Sequence, residues 1–238
     1  MFNQIGGLNA IGAPLSPNQI GGENFIRHIG NDKLIFDFHE GSGTVCYDKS
    51  HCGNNGTLIN PTDITWKRNE LQFGGTSGYV ETIQNLGVSG ASPWFIGIWF
   101  KVVNNVQNGT IISIGIATDS NIFAPQQATD NDKFFLNYWS AENEVTATTG
   151  IDLRKGYNHI GISFDSTNIK LYINGGLFHT DPFPLNITNN PVRISGRPGG
   201  YDGQYGENIF KKVKIKNRVL SQIEIQQEYL ANKFRGNN

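Results

Sequence analysis

The sequence predicts an all-β fold: a sandwich of antiparallel strands with an extended N-terminal arm and one short C-terminal helix. Three observations lead there. From Lys33 onward, short β-rich runs alternate apolar and polar residues and are separated by Gly, Asn, Asp and Pro, which is how antiparallel strands and their turns read. Glycine, at 29 residues, is abundant enough to punctuate many short strands. A single capping-box pattern near the C-terminus marks one helix.

The chain has 238 residues, and all-β sandwiches reach that size as one unit. By texture it divides into an arm, residues 1–32, and a sandwich domain, residues 33–238. The arm is rich in Gly, Asn, Pro and Gln, with isolated Ile and Leu and no strand or helix periodicity. It repeats the segment NQIGG, first as Asn3, Gln4, Ile5, Gly6 and Gly7 and again as Asn18, Gln19, Ile20, Gly21 and Gly22. Asn and Gln can bond a neighbouring backbone, Ile can fill a small pocket, and paired glycines permit close approach. The two copies therefore read as equivalent docking segments.

Within the domain the clearest strand is WFIGIWFKV. Ile96, Ile98 and Phe100 fall on one face and Phe95 and Trp99 on the other, so both faces are expected to be covered and the strand to lie mid-sheet. In NHIGISFDSTNIKLYINGG, Ile160, Ile162 and Phe164 share a face, Asp165 to Asn168 turn the chain, and Ile169, Leu171 and Ile173 share a face of the next strand. Asn174 to Gly176 then supply the positive φ angles of a tight hairpin. In IFKKVKIKNRVLS, Val213 and Ile215 point one way and Lys212, Lys214 and Lys216 the other, which predicts solvent-facing lysines. Ser221 opens the capping box with Glu224, ahead of a helix to about Phe234.

Six runs in order carry a resemblance: LIFDFHEGSGTVCYDKSHCGNNGTL, LQFGGTSGYVE, WFIGIWFKV, NHIGISFDSTNIKLYINGG, VRISGRPGGYDGQYGENI and VKIKNRVLSQIEI. Together, across roughly Lys33 to Asn232, they resemble the laminin-G-like, concanavalin A-like lectin/glucanase superfamily. The resemblance implies a jelly-roll sandwich of two antiparallel sheets, used to bind glycans or proteins and in some members holding a structural calcium ion. Similar domains often read Ile-Asp-Glu-Val near the last strand, whereas Lys211 and Lys212 occupy the acidic positions here. No inherited acidic or metal site is expected at that point.

Composition narrows the function. Nineteen basic and 20 acidic residues leave a formal charge of -1, so no global field draws nucleic acid or an anionic membrane. No apolar run has bilayer-spanning length, so membrane insertion is not expected, and the first residues lack the basic and apolar regions of a secretion signal. Cys46 and Cys52 leave open a small-loop disulfide or two free thiols, and the absence of a signal favours free thiols. In GSGTVCYDKSHCGNNG the one obvious carboxylate is Asp48, which with Ser50 can bond nearby amides. Calcium wants six or more oxygens, so a stabilised loop is favoured over a calcium site. The E-x-D-x-E array by which hydrolytic relatives display their carboxylates is missing, and Asp37 and Glu40 of DFHE read as structural. The five histidines show no metal-ligand spacing, and His159 reads as a packed residue. A non-enzymatic protein without a required cofactor is expected.

Glycan recognition needs aromatic faces and planar polar groups. One loop offers Arg197, Tyr201, Asp202, Gln204 and Tyr205, and a second segment offers Asn137, Tyr138 and Trp139. A lectin-like domain without a secretion signal, preceded by a duplicated docking arm, points to a virion structural protein, capsid-associated or a surface fibre or spike component. Its expected partners are other virion or capsid proteins bound through the arm, a glycan, and further copies in a homo-oligomer. The alternatives are a cellular or secreted adhesion domain, extracellular in location, and a degenerate glycan hydrolase or lyase.

Overall fold

A computed structural model describes residues 31–83, 86–104, 109–115, 122–127, 133–137, 144–148, 151–182, 185–188, 191–197 and 204–233, with backbone alone for 122–127, 133–137 and 144–148. In chain order the strands begin with β1 (Asp32–Phe36), β2 (Val45–Cys46), β3 (Gly56–Ile59), β4 (Ile64–Lys67), β5 (Glu70–Phe73) and β6 (Tyr79–Thr82). Next come β7 (Trp94–Asn104), β8 (Ile112–Gly115), β9 (Ile122–Gln127), β10 (Lys133–Asn137) and β11 (Glu144–Thr148). The series ends with β12 (Asn158–Phe164), β13 (Asn168–Ile173), β14 (Gly176–Pro182), β15 (Arg193–Ile194), β16 (Glu207–Lys216) and the helix α1 (Gln222–Lys233).

These strands form two antiparallel sheets, the jelly-roll sandwich that the resemblance implied. The first runs β14-β13-β12-β7-β16-β5-β4, and the second β11-β10-β9-β8-β15-β6-β3-β2. β16 pairs with β7 along one edge, while its other edge is shared by β5 at Ile209–Phe210 and by β1 from Val213 to Lys216. The sandwich takes in Asp32, expected in the arm, because Asp32 pairs with Lys216 in register and in charge.

Alternation decides which side chains enter the core. Ile96, Ile98 and Phe100 of β7 meet Ile160, Ile162 and Phe164 of β12 in a cluster with Val80, Ile112 and Ile194 of the second sheet, all buried. Each such side chain contributes about 1.5 to 3 kcal/mol by leaving water. Phe73 meets Phe210 edge-on at 5.4 Å, and Phe100 stacks on Phe210 at 5.9 Å. Between β13 and β14, Asn174 (φ 48°) and Gly175 (φ 83°) make the expected tight turn. A second anchor is Asp63, whose Oδ2 accepts the amides of Thr76, Ser77 and Gly78 at 2.8–3.0 Å. Burial works against its charge, but those amides outweigh it and hold the carboxyl below its ordinary range.

The outer face of the first sheet corrects one expectation. Lys212, Lys214 and Lys216 do point away from the core, but toward α1 and Asp32 rather than solvent. The capping box forms as expected: Ser221 N donates to Glu224 Oε2 at 2.8 Å and Glu224 N to Ser221 Oγ at 3.3 Å. From that start α1 crosses the sheet, burying Ile225 against Phe95, Tyr172 and Leu220. Gly97 and Gly161 make room, since a Cβ at either would lie 3.0–3.2 Å from the Phe95 ring. Lys214 Nζ then bonds Glu228 Oε1 at 2.7 Å, Lys216 donates to Asp32, and Lys212 donates to Asn232 Oδ1 at 3.1 Å. Alternation separates core from non-core and cannot say whether the second side meets water or a helix.

Candidate functional site

Beside the C-terminal half of α1, the outer face opens into a cleft of about 710 Å³. Its floor is Trp99 of β7 with Lys211 and Lys212 of β16, and Tyr157 borders it. Tyr229, Asn232 and Lys233 of α1 form one wall, and Ile35, Asp37, His39 and the turn Arg68–Glu70 form the others. Strict alternation with Val213 would send Lys211 into the core. A register shift between Phe210 and Lys212 sets two residues of β16 against one of β7 and leaves both lysines half-buried at the cleft.

The contacts in the cleft are specific. Lys211 Nζ lies 3.4 Å from Glu70 Oε1 and 3.9 Å from the centre of the Tyr157 ring. Burial first, then hydrogen bonding to Glu70, raises the Tyr157 hydroxyl above its ordinary range. His39 Nδ1 lies 3.2 Å from Asp37 Oδ1. Trp99 stacks on Tyr229 at 5.7 Å and 11°. Beneath them His159 packs at 5.8 Å from Trp99, as its sequence position suggested, and burial pushes its imidazole down to about 4. Glu228 is half-buried, which works against its charge, but Lys214 and the other lysines outweigh this and hold it ionised. These features give the cleft polar donors, cations and aromatic edges together.

Of the residues expected to meet a glycan, the described ones, Arg197, Gln204 and Tyr205, are not part of the cleft lining. Arg197 is 2 % exposed, and its Nη1 donates to Gln204 Oε1 at 2.7 Å. That pair braces the base of its loop instead of presenting itself to a ligand. Tyr205 stacks on Tyr79 at 6.1 Å, and the Arg193 guanidinium lies 4.7 Å from the Tyr79 ring. Tyr79 thus joins Tyr205 on the outer face of the second sheet, a partner that sequence reasoning missed. Tyr138, Trp139, Tyr201 and Asp202 lie outside the described residues, as do both NQIGG segments, and Asn137 is described in backbone only. The cleft itself was missed because its residues come from distant strands. Its one sequence signal was Lys211 next to Lys212, where alternation allows a single outward position.

The Asp48 loop does not fit a calcium ion. Asp48 Oδ1 accepts the amides of Ile35 and Ser50 at 2.9 and 2.8 Å, while Oδ2 accepts Ser50 Oγ and the Asn54 amide at 2.7 and 3.0 Å. The carboxylate is engaged in closing the loop onto β1. Among the described residues no group of three or more His, Cys, Asp or Glu could hold a metal. Cys46 is buried and Cys52 exposed, both free thiols.

Comparison with known proteins agrees with the architecture. The profile of the family described as "Concanavalin A-like lectin/glucanases superfamily" matches residues 73–226. The chain belongs to that superfamily. No curated protein matches the sequence. Among solved structures, this member of the concanavalin A-like superfamily is similar to Trypanosoma rangeli sialidase in complex with 2,3-difluorosialic acid, at 14% identity and TM-score 0.67, covering 86% of this chain and 33% of the sialidase. It is also similar to the binding domain of Paraclostridial Mosquitocidal Protein 1, at 11% identity and TM-score 0.63, covering 86% of this chain and 53% of that one. A third likeness is to botulinum neurotoxin type C, a toxin that depends on interaction with two ganglioside molecules to get into cells, at 16% identity and TM-score 0.62, covering 87% and 52%. The chain thus spans about a third to a half of these proteins, and at such identities the likeness is one of fold. Among the described residues no helix is long and apolar enough to cross a membrane.

Proposed function

We propose that this lectin-like domain is a non-enzymatic attachment module that recognises glycans through the cleft beside α1. The observation that carries the reading is the grouping of Tyr157, His39, Arg68, Asn232 and the adjacent lysines around one volume of about 710 Å³, in the range of small-ligand sites. Superfamily membership supports it, and so does the presence of a ganglioside-dependent toxin among the proteins of similar fold. Of the cleft's carboxylates, Glu70 is engaged by Lys211 and Tyr157, while Asp37 lies 3.2 Å from His39, and a carboxylate tied to a lysine suits binding better than paired acid catalysis. A glycan array probed with the full chain tests the reading: binding lost on substituting cleft residues supports it, and an array without signal removes it. Release of reducing ends from polysaccharides would replace it with an enzymatic role.

The module's setting is proposed as the virion surface, capsid-associated or in a fibre or spike, with the two NQIGG segments docking onto other virion proteins. The duplication supports this because linked weak sites gain avidity. Deleting residues 1–30 should abolish incorporation into particles, and unchanged incorporation would favour a cellular or secreted adhesion role.

A further inference from the structure

We infer that the cleft takes the acidic group of an anionic saccharide, a carboxylate or a sulfate, held by Arg68, Lys211 and Lys212. The inference rests on the glycan reading above and specifies its ligand. Charge is the first ground. Four cations line the cleft, Arg68, Lys211, Lys212 and Lys233, against the two carboxylates Asp37 and Glu70. The neighbouring ion-pair cluster adds no net charge, because Lys214 and Lys216 are matched by Asp32 and Glu228. Arg68 stands exposed on the β4–β5 turn and has no carboxylate partner among the described residues, so its planar fork is available to an oxyanion.

Backbone geometry is the second ground. The β16 bulge turns consecutive lysines to one side where a regular strand would offer one. On the floor, Trp99 is 7 % exposed and stacks on Tyr229, so it backs the cations with an apolar surface. Tyr157 and Tyr229 line the cleft beside the cations, giving a sugar ring apolar contact that a bare inorganic anion would not use.

Titration calorimetry of the full chain with sialyllactose, a sulfated lactose and neutral lactose tests this. At least one acidic ligand should bind, lactose should bind at least about tenfold more weakly, and affinity should fall with salt. The two acidic ligands separate carboxylate from sulfate. K211Q/K212Q and, independently, R68Q should each weaken the acidic ligand roughly tenfold. R68Q alters only an exposed turn, so it reports even where the double variant fails to fold. K170Q, on β13 opposite Ser163 and away from the cleft, should leave affinity unchanged. Equal binding of lactose, or acidic binding indifferent to R68Q and K211Q/K212Q, overturns the inference while leaving glycan recognition standing. Failure of every neutral and acidic saccharide on an array overturns both.

Discussion

On the first sheet, the outward side chains of β7, β12 and β16 lie beneath α1. On the second, the outward side chains of β6 and β15 meet, among the described residues, each other, Tyr205 and the Arg197 carbonyl. Phe95 and Lys216 are therefore buried, while Tyr79, Glu81 and Arg193 remain half-exposed. Both faces start from the same alternation of apolar and polar residues. The helix makes the difference: it removes lysines from water, forces each to find a partner, and leaves the cleft where its last turns stop short of covering the sheet. On the open face, the Arg193–Glu81 pair stays within reach of solvent, where such pairs contribute little.

The largest test of that contrast is Asp32→Ala, which leaves Lys216 buried without its partner and should destabilise by about 4 kcal/mol in urea denaturation. Replacing both, Asp32→Leu with Lys216→Met, should recover most of the loss. A cost below about 1 kcal/mol for the single change would mean that the covered face is wetter than its packing implies.

Acid should act on the covered face next. Folded His159 sits near 4 against an ordinary value of 6.5, so between those values the unfolded chain binds the extra proton. Stability is then full above about pH 6.5 and falls as pH drops toward 4, by up to roughly 3 kcal/mol. Melting curves of His159→Phe, which keeps a ring against Trp99, should be flatter across that window. A wild-type melting temperature independent of pH there would refute the assignment.

On the open face, Tyr205→Ala removes the stack on Tyr79 and should cost only roughly 1.5 kcal/mol, with no change in binding at the cleft. Loss of glycan binding in this variant would move the site to the second sheet. The smallest effect is expected at the helix start, where Ser221→Ala removes the reciprocal cap and should cost about 1 kcal/mol by thermal denaturation.

Much of the fold was legible because its signals are local. Ile96, Ile98 and Phe100 opposite Phe95 and Trp99 announced a strand covered on both sides. Asn174 and Gly175 announced a turn, and Ser221 with Glu224 a helix start. The glycan loop was less legible: Arg197 and Tyr205 have the right chemistry for a ligand, but buried Arg197 turns to Gln204 across its own loop and Tyr205 to Tyr79, far away in the chain.

By itself, the sequence determined where the clearest strands run, which of their faces are apolar, and where the one short helix begins, since each follows from periodicity or capping within a few residues. Only the tertiary structure decided that α1 lies over Lys214 and Lys216, that the bulge turns Lys211 outward beside Lys212, and that Arg68, Tyr157 and Tyr229 border one cleft. Those outcomes depend on packing between segments as far apart as Asp32 and Lys216, and no local pattern records which surfaces will meet.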